Sequence, residues 1–431
     1  IYVTSYEDYG ANTFRNGVWV EKDDRRKYLI EKYNLSGDQI WEYKSDDFAV
    51  PNRNFSESFE SFEITESGEI IWAHRLEGDN SRLLKIDSET GNPIWSSYSN
   101  GIIKDIVVND ETIYLVGAGA VYDDHNSWSI GNKLPAGILY SYDFNTGNLN
   151  WEKDYKNGLT NKGSSLRNYN GHIGYGWGGP TDFRSISIDG DQLYVTASFL
   201  LSNGGSDTVD WGVQWNRQDH FAAGSFDLDG NQLWWSKFQG LPNGFVDKSN
   251  PDNNIHYVPD TYTHESKWDE VWNDPNGDIY PNFISDGIII DDQFITIGHI
   301  SNLGNDDNFV VSFDKNTGKI NWDNIWGENS SNQKATSIEV LNDKVFVAST
   351  DYGSTQLNNE LTDSFITITE VPKDGNLKIK VGADPEKSYG RLLDQAGQAN
   401  NAASFEVEDK HQIANNLLKI NNALFLSSLS D

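Results

Sequence analysis

Apolar and polar positions alternate in short runs along most of the chain, and tight turns rich in Asp, Asn and Gly separate the runs. In the clearest example, an apolar run enters the turn Asp143-Phe-Asn-Thr-Gly147 and a second run leaves it toward Trp151. Period-two alternation between such turns is typical of β-strands, and Gly supplies the positive φ that a tight turn requires. The pattern therefore predicts a chain built from β-hairpins.

The same hairpin occurs six times, which indicates a repeat protein. A second hairpin, of which 185–196 is one copy, alternates with it and brings each repeat to four antiparallel strands, a to d. Consecutive four-stranded units predict an all-β fold, a β-propeller of seven blades with parts absent or of six blades. Each copy of the first hairpin has a turn Gly followed four positions later by Trp or Ile: Gly37 and Trp41, Gly91 and Trp95, Gly147 and Trp151, Gly230 and Trp234, Gly318 and Trp322, Gly375 and Ile379. The five tryptophans are predicted to lie on the fourth strands, packed between neighbouring blades.

Loop lengths predict where a functional site would lie. In a propeller blade the a–b and c–d turns share one face, and the b–c and d–a connections share the other. The first set is short in this sequence, and the long segments fall in the second set. We therefore predict one propeller domain over 1–431, with insertions 158–183, 200–220 and 241–285 on a single face and a short helix at 385–399. Loops on a rigid scaffold commonly carry function, so this face is the expected site.

The Asp-x-x-Thr-Gly-x-x-x-Trp copies resemble the tryptophan-docking repeats of the pyrroloquinoline-quinone-type propellers. The stretch from Ile1 to Trp41 is similar to the bacterial SBBP β-propeller repeat. This resemblance implies a propeller fold, which such families use in dehydrogenases, in outer-membrane assembly scaffolds and in large exported proteins. The quinoprotein dehydrogenases hold their cofactor in a larger ring, and many place a vicinal Cys pair over it. This chain has no Cys and fewer repeats, so quinone chemistry is not expected.

Composition narrows the classes of partner. With 33 basic and 65 acidic side chains, the net charge is −32, which disfavours nucleic acid and anionic membranes as partners. The acidity fits solubility in a salty medium or cation binding by some loops. No apolar run is long enough for a membrane span, and the lack of Cys excludes disulfides and thiolate metal sites. The chain opens inside a strand and contains no Met, so we expect a processed product or part of a larger chain.

Aromatic residues are concentrated in the three insertions, where Asp and Asn lie between them. Aromatic rings stack on the C–H faces of sugars, and neighbouring polar groups bind the hydroxyls. The alternative is that these rings form only a small core for the loops. The candidate ligand-binding residues are Trp177, Trp211, Trp215, Tyr262, Trp268, Asp210, Asp219 and Asp260.

Two acidic stretches offer the hard oxygen ligands that Ca²⁺ prefers, and both are interpreted as loops. Neither completes an EF-hand, and Asp, Asn and Gly are also ordinary turn residues. Ca²⁺ is therefore the only cofactor that we predict from the sequence. The candidate metal ligands are Asp274, Asn276, Asp278, Asp306 and Asp307.

The function that these features favour is a non-enzymatic binding or structural module of an exported or cell-surface bacterial protein, with a protein or glycan as its partner. The alternative is a carbohydrate-active enzyme with its site among the aromatic insertions. No phosphate loop, nucleophile elbow or zinc motif is present, so no catalytic residue is assigned.

Overall fold

The computed structural model is all-β over the residues it describes. The contacts divide the chain into two compact units, Ile1–Lys156 and Asn157–Asp431, which are described in turn. The described ranges contain strands and turns and no helix. These ranges are 2–8, 13–15, 18–20, 26–46, 60–65, 67–76, 80–122, 133–155, 180–202, 217–238, 282–302, 305–326, 333–351, 365–375, 402–405, 412–420 and 423–430.

The first unit contains three antiparallel sheets that we call blades and one small hairpin. Blade 1 is β1(Tyr2–Asp8), β4(Arg26–Tyr33) and β5(Gln39–Lys44), and the hairpin is β2(Thr13–Arg15) and β3(Val18–Val20). Blade 2 is β6(Glu60–Ile64), β7(Ile70–Arg75), β8(Ser81–Ile86) and β9(Pro93–Ser99). Blade 3 is β10(Gly101–Asn109), β11(Thr112–Tyr122), β12(Lys133–Asp143) and β13(Leu149–Asp154).

The second unit contains three four-stranded antiparallel blades and a final strand pair. Blade 4 is β14(Pro180–Asp189), β15(Gln192–Ser202), β16(Arg217–Asp227) and β17(Gln232–Phe238). Blade 5 is β18(Asn282–Ile290), β19(Gln293–Asn302), β20(Asn305–Asp314) and β21(Ile320–Trp326). Blade 6 is β22(Gln333–Leu341), β23(Lys344–Asp351), β24(Phe365–Val371) and β25(Ala402–Phe405), and the final pair is β26(Gln412–Ile420) and β27(Ala423–Ser430).

Side chains within the c–d turns explain why the repeated sequence makes a hairpin. Asp143 Oδ1 accepts hydrogen bonds from the Thr146 amide and hydroxyl, both at 2.7 Å, and from the Asn145 amide at 3.1 Å. Gly147 then takes φ +69°, a conformation that costs other residues strain. The same contacts recur at Asp87 and Asp314, so the Asp-x-x-Thr-Gly sequence specifies this turn.

The tryptophan of each docked outer strand packs on the turn Gly of the following blade. Trp234, on β17, donates its indole N–H to the Lys315 carbonyl at 2.8 Å, and a Cβ on Gly318 would lie 2.3 Å from its ring. Equivalent contacts join Trp41 to Ser88 and Gly91, Trp95 to Phe144 and Gly147, and Trp322 to Lys373 and Gly375. The predicted tryptophan packing between blades is therefore confirmed at these four junctions.

A second contact often accompanies the docked ring, two residues further along the outer strand. Ser97 and Ser236 donate their hydroxyls to the Gly147 and Gly318 carbonyls, and Asn324 donates its amide to Gly375. Because these three outer strands are each tied by a ring and by a second hydrogen bond, they are held to the next blade at their outer edges. The apolar cores lie between successive sheets, as where Ile290, Ile295 and Ile297 of blade 5 cluster with Ile338, Val345 and Val347 of blade 6.

Five of the described sheets are thus four-stranded antiparallel blades, and the chain has the predicted all-β propeller fold. The predicted bounds of the insertions 158–183, 200–220 and 241–285 are too wide, because strands extend into them. For example, pairing of β15 with β16 continues as far as Ser202 and Arg217, since each strand satisfies the backbone groups of the other. The fourth strand of blade 6 comes from β25, whereas Ile379 and the predicted helix 385–399 lie outside the described residues. The blade number and the single domain remain predictions.

Candidate functional site

The long segments of the second unit leave blades 4 and 5 at one edge. Asp189 in the a–b turn of blade 4 pairs with Lys315 in the c–d turn of blade 5 at 2.7 Å, so the short turns of these blades share an edge. Antiparallel order then places the outer ends of the strands, such as Ser202, Arg217 and Asn282, at the opposite edge. We call this opposite edge the insertion edge.

Most of the residues predicted to bind a ligand lie outside the described residues. Asp219 is the exception, since the backbone places it in β16 opposite Leu200, near the insertion edge. The other seven are Trp177, Trp211, Trp215, Tyr262, Trp268, Asp210 and Asp260, and their role stays a prediction.

The candidate calcium ligands divide in the same way. Asp274, Asn276 and Asp278 lie outside the described residues. Asp306 and Asp307 do not lie in a loop as predicted, because they belong to β20 and pair with Ser301 and Ile300 of β19 (their side chains are not described). Their Asp/Asn composition is typical of a turn, but hairpin pairing with an apolar neighbouring strand overrides that local preference. Their binding of calcium remains a prediction.

Polar side chains are buried where blades 5 and 6 approach the insertion edge. Gln333 donates its amide to Asp351 Oδ2 at 3.0 Å, and both residues are buried. Asn308, which lies between His299 and Trp326 in the register of blade 5, is 2% exposed. Its carboxamide oxygen has no hydrogen-bond partner in the described part of the chain. Buried acceptors are usually paired, so this oxygen is an exception among the described residues.

A carboxylate also joins the first strands of blades 5 and 6. Asp286 of β18 accepts hydrogen bonds from the Gly287 amide at 2.7 Å, from the Ile338 amide at 3.1 Å and from the Ser337 hydroxyl at 3.4 Å. Burial raises the pKa of the Asp286 carboxyl to about 6, although these hydrogen bonds favour the charged form. Asp286 therefore ties two blades together at the cost of desolvation.

The position of Asp286 is repeated in the first strands of other blades. A β-bulge precedes it and precedes the corresponding Asp105, Ser185 and Ser337. Sequence reasoning missed this polar position because each residue lies inside an apolar run that was interpreted only as a strand. The available signal was a carboxylate within Ile284-Ser-Asp-Gly-Ile288, since an unpaired charge is rarely buried there.

The carboxylates of the c–d turns are already engaged within the protein. Hydrogen bonds from Thr146 hold the pKa of Asp143 below its usual range, and Thr317 does the same for Asp314. Lys373 forms ion pairs with Asp291 at 2.8 Å and with Asp343 at 3.0 Å. These acidic groups therefore define turns and contacts between them.

The described ranges lack two further classes of feature. They contain no group of three or more His, Asp or Glu side chains arranged to hold a metal ion. Nor do they contain a helix with the length and apolar character needed to cross a membrane.

Comparison with known proteins finds similar folds at low sequence identity. The chain is 13% identical to BamB from Moraxella catarrhalis, with a TM-score of 0.37 over 92% of this chain and 87% of that one. An ulvan lyase, from a polysaccharide lyase family, is 10% identical, with a TM-score of 0.46 over 96% and 84%. Drosophila Plexin A is 8% identical, with a TM-score of 0.45 over 98% and 83%.

No protein-family model and no curated protein sequence matches the chain. The structural similarities are too distant to carry an argument about a ligand, a reaction or a partner. The SBBP relationship that the repeats suggest accordingly remains a prediction.

Proposed function

We propose that the chain is a non-enzymatic binding module of an exported or cell-surface bacterial protein. Its partner is a glycan or a protein, and the insertions at the insertion edge bind that partner. The observation that carries this proposal is the division between the two edges of blades 4 and 5. One edge has short turns whose carboxylates are engaged by Thr and Lys, while the other receives all the long segments.

The scaffold beneath these insertions favours binding by preorganised loops. Trp234 and Ser236 fix blade 4 to blade 5, and Trp322 and Asn324 fix blade 5 to blade 6. A site built across fixed strand ends loses little conformational entropy on binding. The aromatic residues of the insertions would supply the stacking surfaces, and Asp219 on β16 is the candidate polar partner nearest to a described strand.

Glycan binding by the intact protein tests this proposal. Soluble glycans are titrated calorimetrically into the wild type and into Trp→Ala variants at Trp177, Trp215 and Trp268, with Trp19→Ala as the matched control outside these insertions. We expect the insertion variants to weaken binding by about tenfold or more, at an unchanged melting temperature, because one stacked ring contributes on the order of 1–2 kcal/mol.

The other outcomes separate the alternatives. Release of new reducing ends from a bound glycan would identify a carbohydrate-active enzyme and overturn the non-enzymatic assignment. Loss of stability in all three insertion variants would show that the rings are only the core of the loops, and glycan binding through them would then be rejected.

A further inference from the structure

The c–d turn of blade 1 has the form of a tryptophan-docking site without a ring upon it. At the four docked turns, a Cβ on the Gly would meet the Trp of the preceding blade at 2.3 to 2.7 Å. Gly37 has the same kind of positive φ, +86°, but no described residue lies within 4 Å of its Cβ position. At the docked turn of blade 6, the carbonyl of Lys373, two residues before Gly375, accepts the indole N–H of Trp322. Leu35 lies at the equivalent position, two residues before Gly37. Leu35 is 95% exposed.

The surface beside this turn differs from the corresponding surface of blade 2. Ile30 packs toward blade 2, so strand alternation turns Glu31 and Tyr33 to the opposite face. In blade 1, Lys32 pairs with Trp41, and in blade 2, Lys85 pairs with Trp95, so Lys32 and Lys85 are equivalent positions. The residues on either side of Lys85 are Leu84 and Ile86. They are therefore the blade 2 counterparts of Glu31 and Tyr33. Those two counterparts are fully buried against blade 1. The turn end of this face of blade 1 is instead acidic and hydrogen-bonded, whereas Leu29 further along the same face is buried.

A small network holds this acidic face together. The Tyr33 hydroxyl donates to Glu31 Oε1 at 2.8 Å, and the Gln39 amide donates to the same oxygen at 3.1 Å and to Glu42 at 3.5 Å. Glu31 and Glu42 are cross-strand partners, so two carboxylates lie side by side next to the Leu35–Gly37 turn. Burying them against another apolar blade would leave charges without compensation, which is costly.

We propose that this blade 1 face binds an extended basic segment of a partner protein. An aromatic side chain of that segment, Trp in particular, would pack on Gly37 and donate to the Leu35 carbonyl, as the four docked tryptophans do. Lys or Arg side chains flanking it would pair with Glu31 and Glu42. A second copy of this chain is disfavoured as the occupant, because each copy carries a net charge of −32. The proposal is independent of the insertion edge.

Fluorescence anisotropy with a labelled peptide tests the proposal on the intact chain. The probe is the seven-residue peptide Val-Lys-Val-Trp-Val-Lys-Val, in which the Trp and both Lys share one face of the extended chain, and its control has Ala in place of that Trp. We expect saturable binding of the Trp peptide to the wild type and binding at least about tenfold weaker for the Ala peptide. Equal binding of the two peptides, or none up to about 1 mM, would overturn the proposal.

Two protein variants distinguish docking from general attraction to an acidic protein. Gly37→Ala places a methyl group where the ring would lie, whereas Gly190→Ala adds one in open space at a similar positive φ of +56°. We expect Gly37→Ala to weaken binding about tenfold and Gly190→Ala to change it by less than about twofold. Equal affinities for the two variants would show non-specific attraction and refute docking at this turn.

A surface variant decides the question if Gly37→Ala does not fold. Glu31→Gln combined with Glu42→Gln keeps the size of both side chains and removes two charges. We expect it to weaken binding and to reduce its salt dependence. Unchanged affinity in this variant would equally overturn the proposal.

Discussion

Replacing Gly318 with Ala should disrupt the junction between blades 4 and 5, and Gly190→Ala provides the matched control. Both glycines have positive φ, +70° and +56°, so both substitutions impose backbone strain. The new methyl group at 318 meets the Trp234 ring at 2.3 Å, whereas the one at 190 meets nothing within 4 Å. The difference between the two variants therefore measures the contacts with blade 4, which are the docked ring and the Ser236 hydroxyl at 2.8 Å.

The magnitudes follow from these two contributions. Left-handed backbone costs a residue with a Cβ roughly 1–2 kcal/mol, and both variants carry this cost. Forcing a methyl group into a packed interface adds roughly 1–3 kcal/mol, which Gly318→Ala alone carries. We expect Gly318→Ala to lower the free energy of unfolding by about 2–5 kcal/mol and Gly190→Ala by about 1–2 kcal/mol. Urea unfolding followed by far-ultraviolet circular dichroism measures both, independently of tryptophan fluorescence.

A double-mutant cycle assigns the extra cost of Gly318→Ala to the ring. Trp234→Ala alone should cost about 3–5 kcal/mol, since it empties a site in which the side chain is 8% exposed. In that background the methyl group at 318 has no ring to meet and only the Ser236 hydroxyl remains close, so its added cost should fall toward the value seen for Gly190→Ala. The docking argument is refuted if Gly318→Ala costs no more than Gly190→Ala, or if its cost is the same with and without Trp234.

Two further predictions concern carboxylates. Because the folded pKa of Asp286 is about 6 and its ordinary value is 3.8, the contribution of this carboxyl to stability should be greatest below pH 4 and fall by about 3 kcal/mol as pH rises through 6. Asp286→Asn retains an acceptor for the Ile338 amide and should remove most of that fall, as measured by urea titrations at a series of pH values. An unchanged dependence of the unfolding free energy on pH would contradict this prediction. Asp323→Asn is the control, because burial also raises the pKa of the Asp323 carboxyl to about 6. Thr317→Val removes a donor to Asp314, whose pKa is lowered by that bond, so it should cost about 1 kcal/mol at pH 7 and progressively less as pH falls below 4. A difference that does not depend on pH would contradict this assignment.

The repeated turn made much of the fold predictable from the sequence. Asp143, Thr146 and Gly147 act on one another within a few residues, so their pattern determines the hairpin wherever it recurs. The role of Trp95 was also predictable, because a large aromatic at a fixed distance from every turn implies a repeated packing site. These inferences succeeded because the interactions are local or strictly periodic.

Other features depend on pairing that a local pattern does not record. The run that ends at Ile379 and the run 402–405 are both candidates for the outer strand of blade 6, and only the pairing of Thr369 with Ala402 identifies the second as a described strand. Similarly, Asp306 has the composition of a turn but is held in β20 by its hairpin partner. The candidate ligand residues in the insertions follow no period along the chain, so only their composition could be used to predict their role.

The inner and outer strands fix the junction of blades 5 and 6 in complementary ways. Between blades 5 and 6, Asp286 bonds to the backbone of the next inner strand, while Trp322 and Asn324 bond to the next outer turn. These two blades cannot separate at either side without losing hydrogen bonds in a buried or half-buried setting, so binding at the insertion edge should leave the junction unchanged. It follows that substitutions at a junction should alter the unfolding free energy with little effect on intrinsic affinity, whereas substitutions in an insertion should alter affinity with little effect on unfolding. A junction variant that retains its stability but loses ligand affinity would show instead that the blades move on binding.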